Sequence, residues 1–264
     1  MRLLTLVILA WIVIPQSFAA KASVLSVIVD PGHGGHDGGA TRGQHKESEI
    51  VLKISEHLQS LLKKDPRFHV SLTRSDNEFV PLSQRARQAN TSNADLFVSI
   101  HVNSSPDVHA KGLEVYIQNQ LPPDEESMYL ANLEHEGYHD EDSNFTRDEL
   151  QGLKVTEQAS PEVKNILKDM IRGHRIRESA ALSKEIYKKW RGSKKSKQNS
   201  ILQAPFFVVS NVNMPSALVE LGFVSNEDDA KNLNNPVHQK EMAESLYASL
   251  VAYKESMDKS QPTP

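Results

Sequence analysis

Along the first half of the chain, short unbroken apolar runs alternate with segments whose apolar residues recur every three or four positions, as strands and helices do in an α/β domain. Val24 to Val29 reads as a buried strand ending in the glycine-rich turn Asp30-Pro31-Gly32-His33-Gly34-Gly35. From Glu47 onward, Ile50, Val51, Ile54, Leu58, Leu61 and Leu62 repeat at helical spacing until Pro66 closes the segment. The pattern then predicts a strand over His69 to Thr73, a helix over Pro81 to Ala89, a strong strand over Leu96 to His101 and another over Leu113 to Gln118. Downstream it predicts a helix over 177–191, strands over Phe206 to Val209 and Ala217 to Phe223, and a closing helix from His238 to Tyr253. The economical architecture is one mostly parallel twisted sheet with helices on both faces.

Two stretches stand outside this alternation. Residues 121–160 carry eleven acids against two bases, net −9, and residues 161–200 carry twelve bases against four acids, net +8. This asymmetry suggests an insertion that folds against its neighbour or meets a charged partner; two separately solvated faces are the plainer alternative. Within it, Ser160-Pro161-Glu162 is a helix start, and Val163, Ile166, Leu167, Met170 and Ile171 form an apolar stripe before Gly173, which is expected to stop the helix. At the N-terminus, Arg2, the apolar run Leu3 to Ile14 and Ser17-Phe18-Ala19 read as a signal peptide over residues 1–19, leaving 20–264 as the mature domain, with an uncleaved anchor as the alternative. A run of twelve is short for a bilayer span, and no other stretch is apolar enough for one, so an exported, soluble product is expected.

Composition narrows the chemistry. With 264 residues, 38% of them hydrophobic and 24% charged, the chain has material for one large core. The absence of cysteine excludes disulfides, thiolate-held zinc, iron–sulfur clusters and a thiol nucleophile, so a metal would fall to the 11 histidines and the carboxylates. A net charge of −4 provides no broad basic surface and argues against a nucleic-acid partner.

The turn after the first strand fails both nucleotide templates. Asp37 stands where the dinucleotide pattern needs Gly, and no Lys-Ser/Thr pair follows. Its glycines permit close backbone packing around His33 at the carboxyl end of a strand, where open α/β sheets place ligands; a structural role for His33 is the alternative. His101 also ends a strand, and Glu47 opens the first long helix. Two histidines and one glutamate make the ligand set of a catalytic zinc with an open fourth position. In Ala217 to Phe223, alternation puts Leu218 and Glu220 on the face opposite Ala217, Val219, Leu221 and Phe223. A charge so embedded is either salt-bridged to an arginine or a general base beside the metal.

Four ordered blocks, Ile28 to Gly35, Glu47 to Leu52, Ala94 to Asn103 and Leu218 to Asn226, resemble those of the zinc-dependent N-acetylmuramoyl-L-alanine amidases of the Amidase_3 type. The resemblance implies that His33, Glu47 and His101 ligate Zn²⁺, with Glu49 a nearby competitor for Glu47, and that Glu220 is the catalytic carboxylate. Arg85 and Asn90 match a further block and are expected to support the site or the substrate. The implied reaction cleaves the amide between N-acetylmuramic acid and L-alanine of peptidoglycan, outside the cytoplasm, with the periplasm first and the wall or medium as alternatives. A zinc peptidase on another wall amide and an inactive wall-binding regulator are the competing readings. The insertion, about residues 119–175 and largely helical, resembles that of the periplasmic, division-associated members, which implies a helix lying over the zinc cleft until an activator protein displaces it; packing of its apolar stripe on the domain's own flank is the alternative. An acid among Glu134 to Asp142 is expected to fill the open position.

Overall fold

The computed structural model describes residues 23–118, 125–135, 150, 159–192 and 201–260. The expected signal peptide and most of the acidic part of the insertion lie outside the described residues. In chain order the elements are β1 (Leu25–Pro31), β2 (Thr41–Arg42), β3 (His45–Lys46), α1 (Glu47–Lys63), β4 (Phe68–Leu72), α2 (Leu82–Thr91), β5 (Leu96–Asn103) and β6 (Glu114–Ile117). There follow α3 (Glu125–His135), α4 (Pro161–Lys189), β7 (Leu202–Gln203), α5 (Phe207–Ser210), β8 (Ser216–Phe223), α6 (Glu227–Leu233) and α7 (Pro236–Ser260).

Six strands form one sheet in the order β4-β1-β5-β8-β6-β7. β1 pairs in parallel with β4 and β5, and β5 with β8, while β6 runs antiparallel to β8 and parallel to β7. β5 and β8 are buried along their whole length, which explains why they read as continuous apolar runs. Alternation divides their side chains between two cores. Val27, Val29, Val98, Ile100, Val219 and Leu221 face a layer built from α1, α4 and α7. Ile28, Phe97, Tyr116 and Leu218 face α2 and α5, joined by Ala131 of α3. Among the described residues, no helix is long and apolar enough to cross a membrane.

Two expectations from the pattern are corrected. Phe206 to Val209 is not a strand: α5 covers Phe207–Ser210, closed by Ser210 N–H donating to Phe206 O at 3.0 Å and Asn211 N–H to Phe207 O at 3.0 Å. Four apolar residues fit either period, and burying Val208 and Val209 against α2 decides for the helix. Gly173 does not stop its helix. α4 runs unbroken for 29 residues, because one interior glycine costs only about 1 kcal/mol and the second half is anchored by Ile176, Leu182, Ile186 and Tyr187. Ser160 caps it, as expected, by accepting from Val163 N–H. The stripe residues Val163, Ile166 and Met170 are exposed, so this part of α4 does not cover the cleft through that stripe.

On the α2 face, Asp30 near the end of β1 is buried and fully engaged. It accepts from Thr73 Oγ1 at 2.6 Å, Ser99 Oγ at 2.8 Å and Arg85 Nη1 at 2.8 Å. Burial by itself would raise its pKa, but the Arg85 charge and the two hydroxyls outweigh that and hold it below the ordinary 3.8. A depressed folded-state pKa contributes stability that is present above the unfolded value and lost as pH falls through the folded one. Asp30→Asn should therefore cost about 3–5 kcal/mol in urea unfolding at pH 7, the scale of a broken buried pair. The gap to wild type should narrow as the pH drops below 3.8; an equal gap at pH 7 and pH 2 would refute the assignment.

Candidate metal centre

Parallel pairing of β1 with β5 and of β5 with β8 brings three chain segments to one sheet edge. His33 sits two residues beyond β1, His101 lies in β5 and Glu220 stands beside it in β8, the two being register partners. His101 shares the face of Ser99 and Phe97, and Glu220 shares that of Leu218, so both side chains lie on the α2 side of the sheet. Glu47, first residue of α1, reaches the same point. Its Oε2 accepts from Ala40 N–H at 2.8 Å and its Oε1 from Val102 N–H at 2.8 Å. Glycine makes this convergence possible: a Cβ on Gly32 would run into the His101 imidazole, and one on Gly39 would meet Glu47 Oε2 at 2.5 Å and His33 Cδ2 at 2.6 Å.

One atom each from His33, Glu47, His101 and Glu134 lie within 4.8 Å of one another. His33 Nε2 is 3.2 Å from Glu47 Oε2 and 3.2 Å from Glu134 Oε2. His101 Nδ1 is 3.1 Å from Glu47 Oε1 and 3.2 Å from Glu134 Oε2. A tetrahedral zinc ion with ligands at about 2.1 Å would space them about 3.4 Å apart. The buried His33 Nε2 has no hydrogen-bond partner although two carboxylate oxygens are near; it faces the space between them. Donor types, spacing and the orphaned nitrogen all fit Zn²⁺. His33 Nδ1 is 2.8 Å from Asp37 Oδ2, the carboxylate-to-imidazole contact that fixes the tautomer leaving Nε2 for a metal.

The electrostatics agree. Burial alone would lower both imidazole pKa values, but the neighbouring glutamates prevail. Glu47 and Glu134 raise His33 well above its ordinary range, and Glu134 with Glu47 takes His101 to about 10. In return the imidazoles lower Glu47, and lower Glu134 strongly, against the burial that would raise both. Without metal the site balances two imidazolium charges against two carboxylates; a divalent cation replaces two protons with no change in total charge. Glu220 differs. Burial, with Glu47, Glu134 and Glu114 adding to it against His101, pushes its carboxyl well above the usual range, and its Oε2 has no hydrogen-bond partner.

The sequence profile of the N-acetylmuramoyl-L-alanine amidases, Amidase_3, matches residues 27–252. The chain belongs to this amidase family. It is 31% identical over 238 residues to AmiC of Escherichia coli, an alignment covering 89% of this chain and 54% of that protein. With AmiA of Escherichia coli it shares 30% identity over 229 residues, 86% of this chain and 75% of that one. The chain thus spans about half the length of its AmiC relative. The crystal structure of an N-acetylmuramoyl-L-alanine amidase from Clostridium difficile 630 has the same fold, with a TM-score of 0.63 at 21% identity, covering 90% of this chain and all of that one.

Within this amidase fold, the candidates His33, Glu47, His101 and Glu220 converge. Glu49 points to solvent one residue past the buried Ser48. Arg85 lies one layer behind the cluster, donating to His33 O at 2.6 Å. Asn90 takes no part in the cluster. It donates to Asn211 O at 3.0 Å and accepts from Asn213 N–H at 2.7 Å, tying α2 to the loop before β8. Sequence reasoning missed Asp37, whose signal was an acid four residues after His33 inside a tight turn, and it narrowed Glu134 only to a range.

The glycine argument is directly testable. Gly32→Ala should displace the His101 ring and weaken zinc binding by about 10–100-fold in chelator competition, with the circular dichroism of the fold retained. Unchanged affinity would show that the ring has room to move.

Proposed function

We propose that the protein hydrolyses the amide between N-acetylmuramic acid and L-alanine in peptidoglycan. The observation that carries this reading is the His33–Glu47–His101 cluster with the buried carboxyl of Glu220, its Oε2 without a hydrogen-bond partner, in the adjacent register position. In this reading the three cluster residues hold zinc and Glu220 is the catalytic carboxylate. When bound, zinc supplies Lewis-acid polarisation of a carbonyl and a water of lowered pKa. Glu220, its pKa raised by burial, takes a proton from the attacking water and hands it to the leaving nitrogen. Water oxygen joins the lactyl carbonyl carbon, the C–N bond breaks, and the products are a muramyl carboxylate and a stem peptide with a free α-amine. Asp37 keeps the His33 ring from turning throughout.

Glu134 gives the site a second property. It belongs to α3, inside the insertion, and its Oε2 fills the corner of the cluster that a substrate oxygen and water need. In this conformation α3 is a plug, and an activator protein that draws it away would open the site. The leader-like residues 1–19 support an exported, periplasmic enzyme. The insertion, resembling that of division-associated members, supports a role in daughter-cell separation.

Digestion of purified sacculi with and without chelator, followed by mass analysis, tests the reaction. Intact stem peptides should be released only with zinc, whereas cleavage within the stem would point to a peptidase. Glu220→Gln should keep bound zinc and lose about 10²-fold or more in turnover, the scale of lost general acid–base catalysis; wild-type turnover would make Glu220 structural. Glu134→Ala should raise basal hydrolysis without any partner, because a closed state is destabilised relative to an open one. A zinc-loaded Glu134→Ala protein no faster than wild type would refute the plug.

A further inference from the structure

Behind the cluster lie two buried arginines, Arg74 and Arg85, whose guanidiniums converge on the backbone carrying the ligands. Arg85 donates from Nη1 to Pro31 O at 2.6 Å and from Nη2 to His33 O at 2.6 Å. Arg74 donates from Nε to Pro31 O at 2.9 Å and from Nη2 to Gly32 O at 2.7 Å. Three successive carbonyls of the metal-binding turn are thus held by two rigid cations. The turn needs restraint, since His33 has φ +56°, left-handed backbone that side-chain-bearing residues rarely adopt.

The same groups reach the other two ligands. Arg74 Nη2 also donates to Ser48 O at 2.8 Å, next to Glu47. Asp30 joins Arg85 to the hydroxyl of Ser99, two residues before His101 and on its face of β5. We infer that Arg74 and Arg85 are positioning residues that lock the segments carrying His33, Glu47 and His101 into one register, so that the ligand atoms meet before a metal arrives. This rests on the zinc reading of the cluster. Lysine would keep each charge, but as a single point it cannot span the Asp30 carboxylate and two turn carbonyls, as Arg85 does, or the carbonyls of Pro31, Gly32 and Ser48, as Arg74 does.

The test uses the full-length chain with zinc or cobalt(II) alone as probe, and the variants Arg85→Lys and Arg74→Lys. Each folded variant should bind zinc about 10–100-fold more weakly in chelator competition, the scale of second-layer substitutions. The visible bands of the cobalt form should change with it. A purely structural role would lower unfolding stability while leaving affinity and cobalt spectrum as in wild type, and that result overturns the inference alone. One folded variant suffices to decide. If neither folds, the arginines belong to the fold and the inference also fails. A wild-type chain that binds no zinc overturns the metal reading itself, and this inference with it.

Discussion

Charge balance in a buried space governs this molecule. Three glutamates and two histidines crowd the carboxyl edge of the sheet, all but Glu134 buried, and none of the charges is tolerable there alone. Two imidazolium ions neutralise Glu47 and Glu134 in the metal-free site, and a divalent cation does the same with stronger, directional bonds. Glu220, left over from that pairing, cannot ionise cheaply beside two other carboxylates. Burial first, and the neighbouring carboxylates after it, raise its pKa.

The surrounding fold exists in a form that makes the balance geometrically attainable. Parallel neighbours β1, β5 and β8 end at the same edge, so residues distant in sequence need no long loops to meet. Backbone amides of Ala40 and Val102 orient Glu47, and Asp37 orients His33. Arg74, Arg85 and Asp30 then secure the main chain one layer down. This order, from ligand atoms to ring orientation to backbone, resists the spreading that like charges would cause. The glycines at 32 and 39 leave the room in which these groups approach.

Glu134 differs from the other members of the cluster in how it is held. Glu47 and His101 stand on a helix and a strand embedded in the main core and His33 in the turn directly after β1, whereas α3 has few buried apolar residues: Ala131 is fully covered, and Met128, Tyr129 and Leu133 are exposed. The contact of Glu134 with the two imidazoles adds an electrostatic tie. A segment with so little apolar anchorage belongs to the low-stability end of a structure, where moving elements are found.

How much of this was legible in the sequence follows from what sets each feature. Strands buried on both faces must be continuous apolar runs, so β1, β5 and β8 and the polar residues interrupting or ending them, His33, His101 and Glu220, were readable directly. The face on which Glu220 falls followed from two-residue alternation. The periodicity also marked α1, α2 and α7. Short or ambiguous signals required the tertiary structure: four apolar residues became α5 because of what they pack against, and Gly173 stayed helical because distant turns of α4 are anchored. The choice of Glu134 from an acidic stretch depended on which turn of α3 faces the cleft, which local pattern does not encode. The family resemblance offered Arg85 as support for the site or the substrate, but its grip and that of Arg74 were hidden, since the acceptors are backbone carbonyls. Every residue carries one, and only folding decides which of them two guanidiniums can reach.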